Sequence, residues 1–307
     1  MSSKRLLDAA SLLLLAPGFG LAAYRFSPAF RASVLVMAGH SPVCPLGLAV
    51  KADQMIRDHV AQMDIFIKDS RVIKEDHGLK LWQTPRGQYW MPAGDTDQLA
   101  SLLSEQEHKI YGKGEKGVRP DDIVFDCGAH VGVFTREALK AGAKLVVSIE
   151  PAPLNLECLR RNLAAEITAG KVIVCPKGVW DKNGSLTFHV EPDNSAGNSI
   201  VFNEQQKRDG DFQVPVSTID SIAAELRVSR VDFIKMDIEG SERHAIVGAA
   251  ETLKAFRPRM ALCTYHLPDD PEVVPRTVTS IVPDYKFECG PCGEKDSWII
   301  PQTLLFH

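Results

Sequence analysis

The chain has 307 residues, 45% of them hydrophobic and 24% charged, with 35 basic against 39 acidic side chains and a formal net charge of -4. So high an apolar fraction with so little net charge excludes intrinsic disorder, and seven cysteines are too few for a disulfide scaffold. A near-neutral balance also argues against a bulk grip on nucleic acid, which rests on neutralising many phosphates, so no nucleic-acid partner is expected.

After Lys4 and Arg5, residues 6–24 read LLDAASLLLLAPGFGLAAY, about the length that spans a bilayer. Asp8, Pro17, Gly18 and Gly20 break the run where a helix needs its hydrogen-bond ladder. A signal peptide or anchor, an interfacial helix and a segment packed on the body all suit it, so membrane association through residues 6–24 stays open. A second weakly polar stretch, Val34 to Val50, is interrupted by His40, Pro42 and Pro45. The cysteines are scattered through apolar surroundings and read as free thiols of a reducing compartment. Cys289 and Cys292 alone have C-x-x-C spacing, without a second pair to complete a zinc site, and read as a turn pair. With the cofactor inferred below, these thiols place the catalytic part in the cytoplasm.

From Met55 to about Gly117 the chain turns polar. Short alternating runs, DIFIKDSRVIK and KLWQTPRGQYWMP, predict a small antiparallel sheet. SLLSEQEHKIYG, from Ser101 to Gly112, predicts a helix beginning near Ser101 or Ser104 and ending before Gly112. The organisation expected is a hydrophobic segment over 1–54, a lead-in subdomain or lid over 55–118, and a main domain over 119–307.

The main domain alternates strand and helix. IVFDCG, KLVVSIE, KVIVCP, VDFIKMDI and RMALCTY read as buried strands, separated by helix-length stretches such as VFTREALKAG and PLNLECLRRNLAAE. SLTFHV and FQVPVS form a hairpin insertion around Asp193 to Gly210, while YKFEC and SWIIPQTLLF are expected to close the sheet, with an end or bulge at Pro301. The pattern predicts an α/β, doubly wound, mostly parallel sheet with helices on both faces. Ligands of such sheets bind beyond the strands' carboxyl ends, where strand order reverses. There the sequence puts Asp126, Glu150, Pro176 to Gly178, Asp237, Glu239, Tyr265 and His266.

FDCGAHVGVFT places Gly128 and Gly132 in a strand-to-helix turn, where the missing Cβ lets backbone amides approach a ligand. Glu150 ends the next strand, where a carboxylate can accept from both hydroxyls of a ribose. Loop and acid together point to a nucleoside. The loop reads D-x-G-x-x-x-G rather than G-x-G-x-x-G, which is wrong for a dinucleotide pyrophosphate. An acid at Asp126, beside the first glycine, favours a ligand with an amino group and a sulfonium charge, as in S-adenosylmethionine.

VFDCGAHVGVFT, SIEPAPLNLECLRRNL, VSTIDSI and FIKMDIEGSE resemble, in order and spacing, the motifs of the FkbM family of S-adenosylmethionine-dependent methyltransferases. The resemblance covers about Asp121 to His266. Its most specific element, K-x-D-x-E-G-x-E, is met by Lys235, Asp237, Glu239, Gly240 and Glu242. It implies a seven-stranded Rossmann-like sheet with a reversed last strand and O-methylation of a sugar-like or other small-molecule hydroxyl. It also implies that Asp126, Gly128 and Gly132 line the methionine part, that Glu150 holds the ribose, and that Pro151, Pro153 and Asn155 match an E-P-x-P-x-N signature. Two departures are Tyr265 and His266, where an acidic residue is expected, and an N-terminal half without a match.

Methyl transfer to a hydroxyl needs alignment, exclusion of water and an acceptor for the proton. Asp237, Glu239 and His266 are candidate bases; Lys235 either tunes a neighbouring carboxylate or forms an internal ion pair with Asp237, and His266 is otherwise a rim residue. His130 and Gly178 are further cofactor-binding candidates. No metal is expected, although Asp237 and Glu239 could give two oxygens to one. Asn198 and Ser199 either face the acceptor or reflect loop polarity, and Trp180 and Phe188 read as packing. A non-catalytic nucleoside-binding or membrane-anchored interaction protein is the alternative.

Overall fold

The computed structural model describes residues 24–25, 27–95, 97–191, 194–200 and 208–307. The apolar run 6–24, except Tyr24, lies outside them, as does part of the 193–210 insertion. Among the described residues no helix is long and apolar enough to cross a membrane.

Helix α1 (Pro28–Met37) starts where Ser27 accepts from the Phe30 amide, with Pro28 in the first turn. A short α2 (Leu46–Ala49) leads to α3 (Ala52–Asp69). The DIFIK run, expected as strand, is the last turn of α3. Ala52, Met55, His59, Met63 and Phe66 recur every three or four residues on the sheltered side. Over eighteen residues that period outweighs a short apolar run at one end. The remainder of the expected small sheet forms: β1 (Arg71–Asp76), β2 (Leu79–Thr84) and β3 (Gly87–Pro92) pair antiparallel in that order. Helix α4 (Gln98–His108) begins three residues before Ser101, after Asp97, and stops at Lys109 in the left-handed conformation. Its buried residues Leu99, Ala100 and Leu103 pack with Phe66, Tyr89 and Met91.

The main sheet begins with β4 (Ile123–Cys127), α5 (Val133–Lys140), β5 (Leu145–Ile149), α6 (Pro153–Asn162), α7 (Ala164–Thr168) and β6 (Val172–Cys175). An insertion, β7 (Gly178–Val179), β8 (Gly184–His189), β9 (Ser199–Ile200) and β10 (Phe212–Ser217), forms its own four-stranded sheet in the order β7-β10-β8-β9. The chain returns through α8 (Ile219–Glu225), β11 (Phe233–Met236), α9 (Glu242–Val247), α10 (Ala250–Phe256), β12 (Arg259–Cys263) and α11 (Asp270–Ile281). It ends with β13 (Phe287–Cys289), β14 (Cys292–Lys295), β15 (Trp298–Pro301) and β16 (Thr303–Phe306).

The seven-stranded order is β13-β16-β12-β11-β4-β5-β6, with β12 through β6 parallel and β16 antiparallel to both neighbours, so the doubly wound sheet with a reversed last strand is present. SWIIPQTLLF is divided at Pro301: its first half pairs with β14 in a separate hairpin and only its second half enters the sheet. Strand order reverses between β4 and β11, which sets the carboxyl ends of those two strands at the opening for a ligand.

The reading of all cysteines as free thiols fails at one pair. Cys44 and Cys292 form a disulfide across 248 positions, with Cα atoms 6.5 Å apart. Packing of α1 and α2 on the β14–β15 hairpin, through Ala32, Leu35, Ala49 and Ile299, brings the two sulfurs together. The C-x-x-C spacing therefore misdirects: Cys289 stays a thiol, as do the buried Cys127, Cys158, Cys175 and Cys263.

Candidate active site

Lys235 on β11 and Asp126 on β4 are directly opposite in the parallel register. Both point to the face of the sheet that α4 and Tyr111 approach, and the Lys235 ammonium lies 3.6 Å from Asp126 and 3.9 Å from Asp237. It also donates to the Gly128 carbonyl at 2.8 Å and stands over the Tyr111 ring. Burial works against the ammonium, but the two carboxylates outweigh it and hold the lysine charged well above its ordinary range. Asp126 is fully buried. Burial raises its pKa despite Lys235 and a hydrogen bond from Thr135 Oγ1 at 2.7 Å.

At the end of β4 the chain turns sharply. Gly128 has φ +78, and a Cβ there would stand 2.0 Å from the Asp237 carbonyl oxygen, so only glycine lets the ends of β4 and β11 close together. Gly132, φ +89, serves helix packing instead: a Cβ would meet Leu163 at 2.7 Å. Between them the His130 amide donates to Glu150 Oε2 at 2.9 Å. Glu150 Oε1 accepts from the Ala152 amide at 2.9 Å and from Asn155 Nδ2 at 3.3 Å. Oε2 thus keeps acceptor capacity for a ligand. Burial lifts the Glu150 pKa to about 6, held back by the Ala152, His130 and Asn155 donors.

The insertion closes over this turn. Ser195 Oγ donates to Asp95, and the Ser195 amide donates to Asp95 Oδ1 at 2.9 Å. Having given its proton, the hydroxyl accepts from His130 Nε2 at 2.5 Å. Burial lowers the His130 pKa to about 3, so the ring is neutral, carries its proton on Nε2 and leaves Nδ1 a bare acceptor. Nδ1, Asn155 Oδ1 and Ser241 Oγ are buried without hydrogen-bond partners among the described residues. Buried polar atoms of that kind call for a ligand or ordered water.

Asp237 just beyond β11 accepts from Tyr111 at 2.8 Å and from Tyr265 at 3.4 Å. Burial alone would raise its pKa, but Lys235 and His266 hold it well below the usual carboxylate range. Burial raises Glu239, whose backbone is left-handed at φ 54. Glu105, on α4, is pushed up to about 8 by burial and by Asp237, so it is largely protonated at pH 7. Its carboxyl then donates to the Tyr111 oxygen at 3.3 Å, while the Tyr111 hydroxyl donates on to Asp237. His266 is nearly buried, with Nε2 3.3 Å from both Asp237 and Glu239 and Nδ1 3.0 Å from Glu242. Burial opposes its charge, but Glu242 and the other two carboxylates keep it protonated.

These elements enclose a cavity of about 330 Å³. Of the expected site residues, Gly128, His130, Glu150, Gly178, Lys235, Asp237 and Glu239 line it, whereas Asp126, Gly132 and His266 do not. Asn198 lines it and Ser199 does not; Phe188 contributes an apolar edge, while Trp180 stacks on His244 with ring centroids 3.9 Å apart. Sequence reasoning missed Gln98, Ser101, Glu105 and Gln106 of α4, together with Tyr111, Ser195 and Ser241. Ser101, Glu105 and Gln106 fall in the predicted helix, where i, i+4 spacing could have placed Ser101 and Glu105 on one face; nothing local marks Ser195.

A family model described as "Methyltransferase FkbM domain" matches residues 126–288. The 31-O-demethyl-FK506 methyltransferase FkbM of Streptomyces tacrolimicus is 26% identical over 162 residues, 44% of this chain and 62% of that protein. The hexuronic acid methyltransferase AglP of Haloferax volcanii is 23% identical over 186 residues, 61% and 68% of the two chains. Matched regions thus span about three fifths of the former relative and two thirds of the latter. A crystal structure of methyltransferase FkbM from Methylobacillus flagellatus superposes with a TM-score of 0.46 at 20% identity, covering 84% of this chain and 60% of that one.

Proposed function

The chain belongs to the FkbM methyltransferase family, and from that premise we propose that it is an S-adenosylmethionine-dependent O-methyltransferase acting on a sugar-like or other small-molecule hydroxyl. The observation that carries the reading is the convergence of Glu150, the Gly128 turn and Asp237 on one cavity at the point where strand order reverses. Orphaned polar atoms on His130, Asn155 and Ser241 fit the same ligand, since a nucleoside with an amino-acid tail offers donors and acceptors to each. The cavity volume is at the low end of the roughly 300–1,000 Å³ common for small-molecule sites.

Bound there, S-adenosylmethionine would supply a sulfonium methyl group for in-line transfer to an acceptor oxygen, the sulfur keeping the electron pair of the carbon–sulfur bond. Glu150 would accept from the ribose through Oε2. Lys235 fixes the Gly128 carbonyl and so the shape of the turn. Asp237 and Glu239 give the sulfonium end negative surroundings. Of these two, Glu239 is the better proton acceptor, because Asp237 is held too far below the ordinary range to be a strong base. Gln98, Ser101, Gln106, Asn194 and Asn198 supply amides and a hydroxyl to the cavity wall, which suits a polyhydroxylated acceptor.

Calorimetry with S-adenosylhomocysteine, with NADH as the control, tests the cofactor. Transfer of label from S-adenosylmethionine to extracts, compared between wild type and Asp237→Ala, tests catalysis. Unchanged turnover in the variant removes Asp237 from the mechanism, and absence of S-adenosylhomocysteine binding removes the reading altogether.

A further inference from the structure

Behind the cavity wall, one ligand atom from each of Asp237, Glu242 and His266 lies within 4.8 Å of the other two. That spread matches donors around one cation at bond lengths of roughly 2.0–2.4 Å. Glu242 is fully buried, and although Oε1 accepts from the Ile238 amide at 2.9 Å, Oε2 has no hydrogen-bond partner among the described residues. His266 is similarly enclosed. Its contacts with Asp237 and Glu242 are close, yet neither ring nitrogen is aligned for a hydrogen bond. Three carboxylates, counting Glu239, surround one imidazole. Even a protonated ring leaves an excess of buried negative charge, and an unpaired buried carboxylate oxygen is costly.

We propose that Asp237, Glu242 and His266 form a binding site for one first-row divalent cation at the edge of the cavity. Two carboxylates and an imidazole suit Mn2+, Fe2+ or Zn2+ better than Ca2+, which takes a larger all-oxygen shell. Three protein ligands leave coordination positions open, and Asp237, the ligand that lines the cavity, puts the ion at its edge. An acceptor hydroxyl bound there loses its proton more readily, and Glu239 is placed to take that proton. This role in transfer rests on the methyltransferase reading; binding of the ion does not.

The test uses full-length protein without a polyhistidine tag, stripped with EDTA and dialysed. Mn2+ is the probe because sulfur ligands, such as the Cys289 thiol beside the Cys44–Cys292 disulfide, take it poorly. Titration followed by the electron spin resonance of free Mn2+ is expected to show one saturable ion per chain. His266→Gln and Asp237→Asn are each expected to weaken it by at least tenfold, and Glu242→Gln to do the same if that variant folds. The same samples are titrated with S-adenosylhomocysteine. Saturable Mn2+ binding lost in the variants supports the site whether or not the nucleoside binds. No saturable Mn2+ binding to wild type, or binding unchanged in both His266→Gln and Asp237→Asn, overturns it. If S-adenosylhomocysteine still binds in that event, the methyltransferase reading stands without a metal.

Discussion

Replacing Lys235 by Met removes a buried cation that faces both Asp126 and Asp237, at 3.6 and 3.9 Å. At an effective dielectric constant of 20, unit charges at those distances attract by about 4–5 kcal/mol each. Most of that gain is offset in the wild type by the burial of the ammonium itself. The variant keeps neither side of the balance, because two carboxylates remain buried beside a thioether, and breaking a buried pair in this way typically costs about 3–5 kcal/mol. Urea denaturation at pH 7, in EDTA to keep metal out of the comparison, is expected to show a loss of that order. The loss should be smaller at pH 5 than at pH 8, because Asp126, already raised by burial, escapes its unpaired charge by taking a proton. Adding Asp126→Asn to Lys235→Met should restore about 1–2 kcal/mol through the coupling of neighbouring groups. A single variant within about 1 kcal/mol of wild type, or a double variant no better than the sum of the two singles, refutes the claim that this ion pair holds the strand ends together.

Glu150→Gln removes a charged acceptor, and S-adenosylhomocysteine affinity measured by calorimetry should fall about 10- to 100-fold, since such a bond is worth roughly 1.5–3 kcal/mol. The Glu150 pKa is raised to about 6, so the folded chain takes this proton more readily than the unfolded one. Acidification through pH 6 should therefore weaken the nucleoside without loss of stability through this group, and Glu150→Gln should flatten that part of the affinity profile. Glu105, near 8, should release a proton when a sulfonium enters beside it. Titrations at pH 7.5 in buffers of different ionisation enthalpy should then show proton release with S-adenosylmethionine but not with neutral-sulfur S-adenosylhomocysteine, and Glu105→Gln should abolish the difference. Thiol counting by mass spectrometry should find five free cysteines in the oxidised chain. Reduction should lower the thermal midpoint, because opening a loop of 248 residues returns up to about 5 kcal/mol of entropy to the unfolded state.

The parallel part of the sheet was legible because each of its five strands is a short apolar run next to a helix with its own period, and because IVFDCG and VDFIKMDI carry acids near their ends that a buried strand would not otherwise hold. Less legible was anything decided by contact between distant segments. Ile65, Phe66 and Ile67 form a short apolar run rich in β-branched residues and so imitate a strand, until Ala52, Met55 and His59 are counted with Phe66. Cys292 has a near neighbour in sequence at Cys289 but bonds to Cys44, because a packed apolar cluster and not spacing decides which sulfurs meet. The glycine loop shows the same limit on a smaller scale: Gly128 and Gly132 look alike in sequence, yet one admits the Asp237 backbone and the other admits Leu163.

The candidate site divides along the same line. The half that belongs to β4, β5 and β11 is written in local motifs, since a residue at the end of a strand has few places to go. The other half arrives from outside the sheet: Tyr111 and Glu105 from the segment preceding β4, and Ser195 from the insertion after β8. Asp95 ties these two sources together, for it receives both donors of Ser195 while Ser195 in turn holds His130 in the glycine turn. Strand register sets Lys235 opposite Asp126, and Glu150 follows directly on β5, so a change in acceptor would fall mainly on the outer half. The outer half cannot vary freely, however: whatever side chain replaces Ser195 must still satisfy His130 Nε2 and Asp95 in a place closed to water, or the turn that carries the Glu150 partner loses its support.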